Sequence, residues 1–288
     1  MRGAFLDGRG VLHVTGADAG RFLDNLLTND VGKLAPGRAG YAALLTPQGK
    51  IIADMLASRI DGGFRLDVPG HLAADLARRL ALYKLRSKVQ VADVSAETRV
   101  LVLWGDGQML PRGGPEFIID PRIPGLGARA YVAPDAAMPE GVANVGLERY
   151  REHRIALGAP MGGLDFVYGD TFPHEACLDQ LNGIDFKKGC YVGQEIVSRM
   201  EHRGTARTRI TPVQIDGLPP AIGSAVLAGE RTIGRMGSSV EGRGMALIRL
   251  DRAAEAREAG QPLIAGSAML TVEKAAWARF ALPGETAA

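Results

Sequence analysis

The chain reads as an α+β protein built on antiparallel sheets and closed by a small β-barrel, and three observations predict this. Tyr41–Leu45 and Ile51–Leu56 are apolar runs flanking the turn Thr46-Pro47-Gln48-Gly49-Lys50, the pattern of a hairpin. Strand-like and helix-like stretches mix in the first two thirds without a Rossmann glycine fingerprint or regular strand–helix alternation. After Thr208, short apolar runs recur between glycine turns, as in a small antiparallel barrel. Glycine supplies 38 of 288 residues, about twice its usual share, and so favours tight turns throughout.

At 288 residues the chain is long for one hydrophobic core, and three modules are expected: 1–95, 96–205 and 206–288. In the first, Val11–Val14 is a strand and Asp18 can cap a helix presenting Phe22, Leu23, Leu26 and Leu27. The hairpin follows, then a strand over Phe64–Val68. A helix from Gly70 carries Leu72, Leu76, Leu80 and Tyr83, and Lys88–Val94 is again strand-like. The second module has a strong β run at Arg99–Trp104, a Gly/Pro loop at Gly105–Pro115, and weaker runs at Phe117–Asp120 and Ala128–Val132. A helix from Asn144 to Ala156 then stops at Gly158-Ala159-Pro160. In the third, strands are expected at Thr208–Ile215, Ser224–Leu227, Thr232–Ser239, Gly244–Leu250 and Ala268–Glu273. Asp251–Ala259 forms at most one turn of helix, and Pro283–Ala288 frays.

A net charge of +2 argues against a nucleic-acid binder, which normally carries a strong basic excess. Cys177 and Cys190 are the only cysteines, too few for a disulfide framework or for a self-contained zinc or iron-sulfur site. His174-Glu175 offers two metal ligands without a third nearby in sequence, so no metal site is expected. Nothing reaches the ~18 apolar residues needed to span a bilayer, and Met1–Asp7 lacks a hydrophobic signal core. No mitochondrial presequence is visible, so a cytoplasmic location is expected.

Two stretches carry chemistry. Asp54 interrupts an apolar strand two positions after Ile52, so period-two alternation puts both on one face; a carboxylate there is costly unless paired or used. Alternatively Ile51, Ala53 and Met55 point inward and Asp54 meets solvent. The second stretch is Lys187-Lys188-Gly189-Cys190-Tyr191-Val192-Gly193-Gln194-Glu195, a thiol on a glycine-flanked loop with lysines before it and a carboxylate after it. A nearby ammonium favours the reactive thiolate, although free cysteines are commonly inert and buried. Glu195 begins the next regular element, where an acid suits a helix N-terminus. Arg199, His202, Arg203, Arg207 and Arg209 form a basic run that is either a solvated face or an anion contact.

The segment Lys188–Glu195 resembles the signature of the YgfZ family, folate-binding proteins related to the T-protein (aminomethyltransferase) of the glycine cleavage system. Gly16-Ala17-Asp18, Leu27-Thr28-Asn29-Asp30, Tyr41 and Gly49–Asp54 are similar to the N-terminal run of the T-protein, and Arg154–Pro160 with Pro173-His174-Glu175-Ala176 to a later segment. The resemblance implies a T-protein-like folate-binding domain before the barrel, and a tetrahydrofolate-dependent protein that supports assembly or repair of iron-sulfur enzymes. It implies that Asp54 acts as a general base beside the one-carbon nitrogens of the folate, with Tyr41 lining the same pocket. Cys190 is then a reactive thiol activated by Lys188, and Lys188, Tyr191, Gln194, Glu195, Arg199 and Arg203 join the cofactor contacts. Two departures stand out: Ala53 replaces the first acid of a double Asp, and Ala156 replaces a pterin-binding Glu. The alternatives are a tetrahydrofolate-dependent aminomethyltransferase or demethylase, and a scaffold that has lost folate and meets protein partners through the Cys190 loop. The folate reading expects Asp54 and Cys190 to line one hollow.

Overall fold

A computed structural model describes residues 1–105, 110–111, 114–204 and 206–282. Part of the expected Gly105–Pro115 loop and the whole Pro283–Ala288 tail lie outside the described residues. The chain forms two compact units, Met1–Arg151 with Leu181–Gln194, and Glu152–Gln180 with Glu195–Ala288.

In the first unit, β1 (Arg2–Phe5) and β2 (Arg9–Thr15) precede α1 (Ala19–Asp24). The expected hairpin forms as β3 (Ala39–Leu45) and β4 (Ile51–Ile60), followed by β5 (Gly63–Pro69), α2 (Gly70–Tyr83) and β6 (Gln90–Asp93). Strands β7 (Arg99–Trp104), β8 (Ile118–Ile119), β9 (Ala128–Val132) and β10 (Ala143–Asn144) complete it. One sheet runs β3-β4-β5-β2-β6, and the other β10-β1-β7-β9-β8. Burial drives the first sheet's assembly: Leu12, Val14, Ala42, Leu44, Met55 and Leu66 pack with Leu23 and Leu27 and with Ala73, Leu76 and Leu80 of α2. Helix α1 is shorter than expected, and Asp18 makes no side-chain cap. Its carboxylate instead accepts the Lys88 amide at 2.8 Å, pinning the loop that follows α2.

Helix α3 (Gly146–Ala156) leads into the second unit and stops as expected, Gly158 adopting φ +69°. Helix α4 (Gln194–Arg203) starts where the Glu195 signal placed it. The barrel strands are β11 (Thr208–Asp216), β12 (Ala225–Ala228), β13 (Arg231–Val240), β14 (Arg243–Arg249), β15 (Leu263–Ala265) and β16 (Ala268–Val272). They close in the order β11-β14-β13-β12-β15-β16. Residues Asp251–Ala259 exceed the expected single turn: α5 (Leu250–Glu258) is a nine-residue helix that buries Ala253 and Ala256 against the barrel core. Small residues let it approach closely, and alanine is a strong helix former. Among the described residues, no helix is long and apolar enough to cross a membrane.

Candidate functional site

Asp54 is buried, 5% exposed, and its carboxylate accepts the Tyr41 hydroxyl at 2.9 Å. The strand register explains the meeting. Ala43 faces Asp54 and Tyr41 faces Leu56, so Tyr41 and Asp54 are diagonal neighbours on one face. The expectation that Asp54 shares Ile52's side fails, because the register shifts between Leu44 and Leu45. Ile52 packs with Ala53 and Met55 on the helix-covered core, while Asp54 belongs to the opposite face. That face is buried too. Burial and the neighbouring Asp54 charge push the Tyr41 phenol well above its ordinary pKa, and the Arg122 guanidinium lies 5.2 Å from the centre of its ring.

Arg122 opens a charged network that the sequence did not reveal. Its guanidinium binds Asp120 through two nitrogens, at 2.9 and 2.7 Å. Arg129 bridges Asp120 at 3.3 Å and Asp67 at 2.5 Å, and Arg9 reaches Asp67 at 2.6 Å. Asp67, Asp120 and Arg129 are all buried. Burial alone would raise the Asp120 carboxyl, but Arg122 and Arg129 outweigh it and hold it at about 2. Asp67 is likewise lowered: burial opposes ionisation, and Arg9 and Arg129 override it. Arg65 and Asp67 alternate with Phe64, Leu66 and Val68, which reads as a solvated face. In the fold that face meets Arg129 and Tyr131 of β9. Polar alternation on both strands was the available signal.

The cysteine loop is tied down by backbone contacts. Lys188 does not serve the thiol as expected: its ammonium donates to the carbonyls of Asp24, Leu27 and Asn29, at 2.7, 2.7 and 2.9 Å. Three bonds use all three of its hydrogens. Burial lowers its pKa, with Asp24, Asp30 and Asp185 pulling the other way. The Thr28 hydroxyl donates to Gly183 O, and Asn29 donates to both Tyr41 O and Asn182 O. Gly193, at φ +81°, sits so close to the hairpin turn that an added Cβ would lie 2.7 Å from Thr46 O. Only glycine fits there. On this strapped loop Cys190 is exposed, whereas Cys177 is buried, and burial pushes its thiol up to about 12. The two expected catalytic groups thus share a unit but differ in access.

The remaining expected residues divide. Tyr191 is buried, its ring centre 5.3 Å from the Lys188 ammonium, and burial raises its phenol. The backbone N–H of Gln194 donates to Tyr191 O at 3.3 Å and closes the loop. Glu195 and Arg199 pair with each other at 2.6 Å on exposed turns of α4, and Arg203 is exposed. In the second unit, buried Arg154 holds Asp165 at 2.8 Å and Ser238 at 2.6 Å, while Ala156, at the family's pterin-binding position, is exposed. His174 finds potential co-ligands that sequence spacing hid: Asp179 and Glu201 offer oxygens within 4.8 Å. Arg209 already binds Asp179 at 2.6 Å, and His174 Nε2 lies 3.1 Å from Glu201.

Comparison with known proteins fits this geometry. Residues 8–107 match the GCVT N-terminal domain, and residues 207–280 match the CAF17 C-terminal beta-barrel domain. The human iron-sulfur cluster assembly factor IBA57, mitochondrial, is 34% identical over 271 residues, covering 84% of this chain and 76% of its own length. The chain belongs to the IBA57 family. The IBA57 homolog of Mycosarcoma maydis is 37% identical over 74% of this chain, and that of Neurospora crassa is 32% identical over 75%. The chain spans little more than half of those fungal relatives, 57% and 55% of their lengths. The aminomethyltransferase T of the glycine cleavage system from Bartonella henselae superposes with a TM-score of 0.71 at 17% identity, over 95% of this chain and 85% of its own, which shows a shared fold. The YgfZ resemblance thus lies close to the family without coinciding with it. The cytoplasmic expectation is corrected, since the relatives are named mitochondrial. A short N-terminal reading was a poor basis for location.

Proposed function

We propose that this IBA57-family chain acts in iron-sulfur cluster assembly by presenting Cys190 as a single accessible thiol to a cluster or its protein carrier. The observation that carries this is the contrast between the cysteines: Cys190 is exposed on a strapped loop, and Cys177 is buried with a raised pKa. A cluster needs about four ligands, so one thiol from this chain acts together with thiols of a partner. The loop's fixed backbone holds that thiol in place without reorganisation on docking. The test is recovery of an iron-sulfur enzyme's activity in cells lacking their own family member. Wild type and Cys177→Ser are expected to restore it, and Cys190→Ser to lower it at least about tenfold. Full recovery with Cys190→Ser rejects the reading.

A second reading, a reduced-folate site of the YgfZ type, is favoured by the buried Asp54–Tyr41 pair. A carboxylate fixed by a phenol on a dry face suits proton transfer at a folate nitrogen, with Tyr191 and Gln194 of the same unit as further contacts. Ala156 weighs against it. Calorimetric titration with tetrahydrofolate is expected to give heat that Asp54→Ala abolishes, and absence of heat from wild type rejects folate binding.

A further inference from the structure

Helix α2 turns its inner face, Ala73, Leu76 and Leu80, into the core of the first unit. Just beyond that stripe, leucines point the other way: Leu82 is 76% and Leu85 88% exposed, with Tyr83 38% exposed between them. Leu85 also holds φ +42°, a left-handed conformation that leucine rarely adopts and glycine takes freely. Neither packing nor backbone geometry accounts for a leucine there. Fold stability would favour glycine or a polar residue, so the side chain's use lies outside the fold.

The surroundings are strongly basic. From Leu76 to Ala92 the chain carries Arg78, Arg79, Lys84, Arg86 and Lys88 and no acid, in a protein whose total charge is only +2. Arg78 and Arg79 are answered by Asp75. Arg86 and Lys88 are exposed beside the leucines. The segment is held in shape, since Lys88 N–H is bound by Asp18, Ser87 N–H by Lys84 O, and Val89 N–H by Ser87 O. Two exposed leucines with Arg86 and Lys88 next to them in the chain make a small apolar and cationic surface with a defined complement.

We propose that Leu82, Leu85, Arg86 and Lys88 form a docking surface for an acidic amphipathic segment of a partner protein, whose apolar side chains cover the leucines while its carboxylates meet the cations. Nucleic acid would use the cations but leave the leucines uncovered, and a lipid surface would call for a broader apolar face than this knob. The surface does not depend on the Cys190 reading.

Fluorescence anisotropy of a synthetic helical peptide, leucine on one face and glutamate on the other, tests this on the full chain. Wild type is expected to bind it at least about tenfold more tightly than the same peptide with serine for leucine. Leu82→Ser/Leu85→Gly and Arg86→Glu/Lys88→Glu should each lose that preference without lowering the wild-type thermal midpoint, since glycine accepts the Leu85 backbone and the changed side chains are exposed. Equal binding of both peptides, or of the leucine peptide by wild type and variants, overturns the proposal. So does preference for phosphatidylglycerol vesicles over the peptide, which would assign the surface to lipid. Leucine-dependent self-association in sedimentation would assign it to a second copy and likewise overturn it.

Discussion

Replacing Arg129 with Met should expose how much of the first unit rests on its buried charges. The guanidinium touches Asp67 at 2.5 Å and Asp120 at 3.3 Å, and all three groups are buried. Removing one partner of a buried ion pair costs about 3–5 kcal/mol, because a desolvated charge is left behind. Here Asp67 keeps Arg9 and Asp120 keeps Arg122, so about 3 kcal/mol is expected, or roughly 6–12 °C in midpoint for a unit of this size. In a Trp277→Phe background Trp104 is the only tryptophan, and its fluorescence reports urea and thermal unfolding of the first unit alone. Acid gives a second measure. Asp120 is held at about 2, below its unfolded value near 3.9. Its contribution is therefore full above pH ~4 and is lost as pH falls toward 2, an effect of about 2 kcal/mol. Asp67, also lowered, acts in the same direction. In Arg129→Met the two carboxyls are less depressed, so the acid-dependent loss should be smaller and complete at a higher pH, and Asp67→Asn/Arg129→Met should cost less than the sum of its single changes. A loss below about 1 kcal/mol, with an unmoved acid limb, would refute the claim that this bridge holds the unit together.

Two further changes probe the cysteine loop. Lys188→Met removes three charge-assisted hydrogen bonds but also the cost of burying an ammonium, so a net loss of about 2 kcal/mol is expected by urea unfolding; an unchanged midpoint would deny the strut role. Gly193→Ala places a methyl group 2.7 Å from Thr46 O at a left-handed φ and should cost about 1–3 kcal/mol. Amide exchange should quicken across residues 181–194 while the centre of β4 stays protected, and equal exchange throughout would show that the loop does not lean on the hairpin turn.

What the sequence determined was local and periodic. Alternation and turn residues marked β3, β4, β7 and β9, the three- and four-residue steps of Leu72, Leu76 and Leu80 marked α2, and Gly158 marked the end of α3. Those signals work because strand and helix geometry repeat over neighbours in the chain. The glycine-flanked Cys190 was legible as a shaped loop for the same reason.

Only the tertiary structure decided which polar faces are inside and which neighbour a charge answers. Asp67 meets Arg129 across 62 positions, and Lys188 meets Leu27 across 161. Pairing at that range leaves no period in the sequence. A lysine beside a cysteine therefore looked like its activator, although its hydrogens bind backbone carbonyls instead. For Asp54, alternation left two sides open: the irregularity at Leu44/Leu45 brings Ile52 to the side of Ala53 and Met55, and Asp54 lies on the other face, which tertiary packing buries.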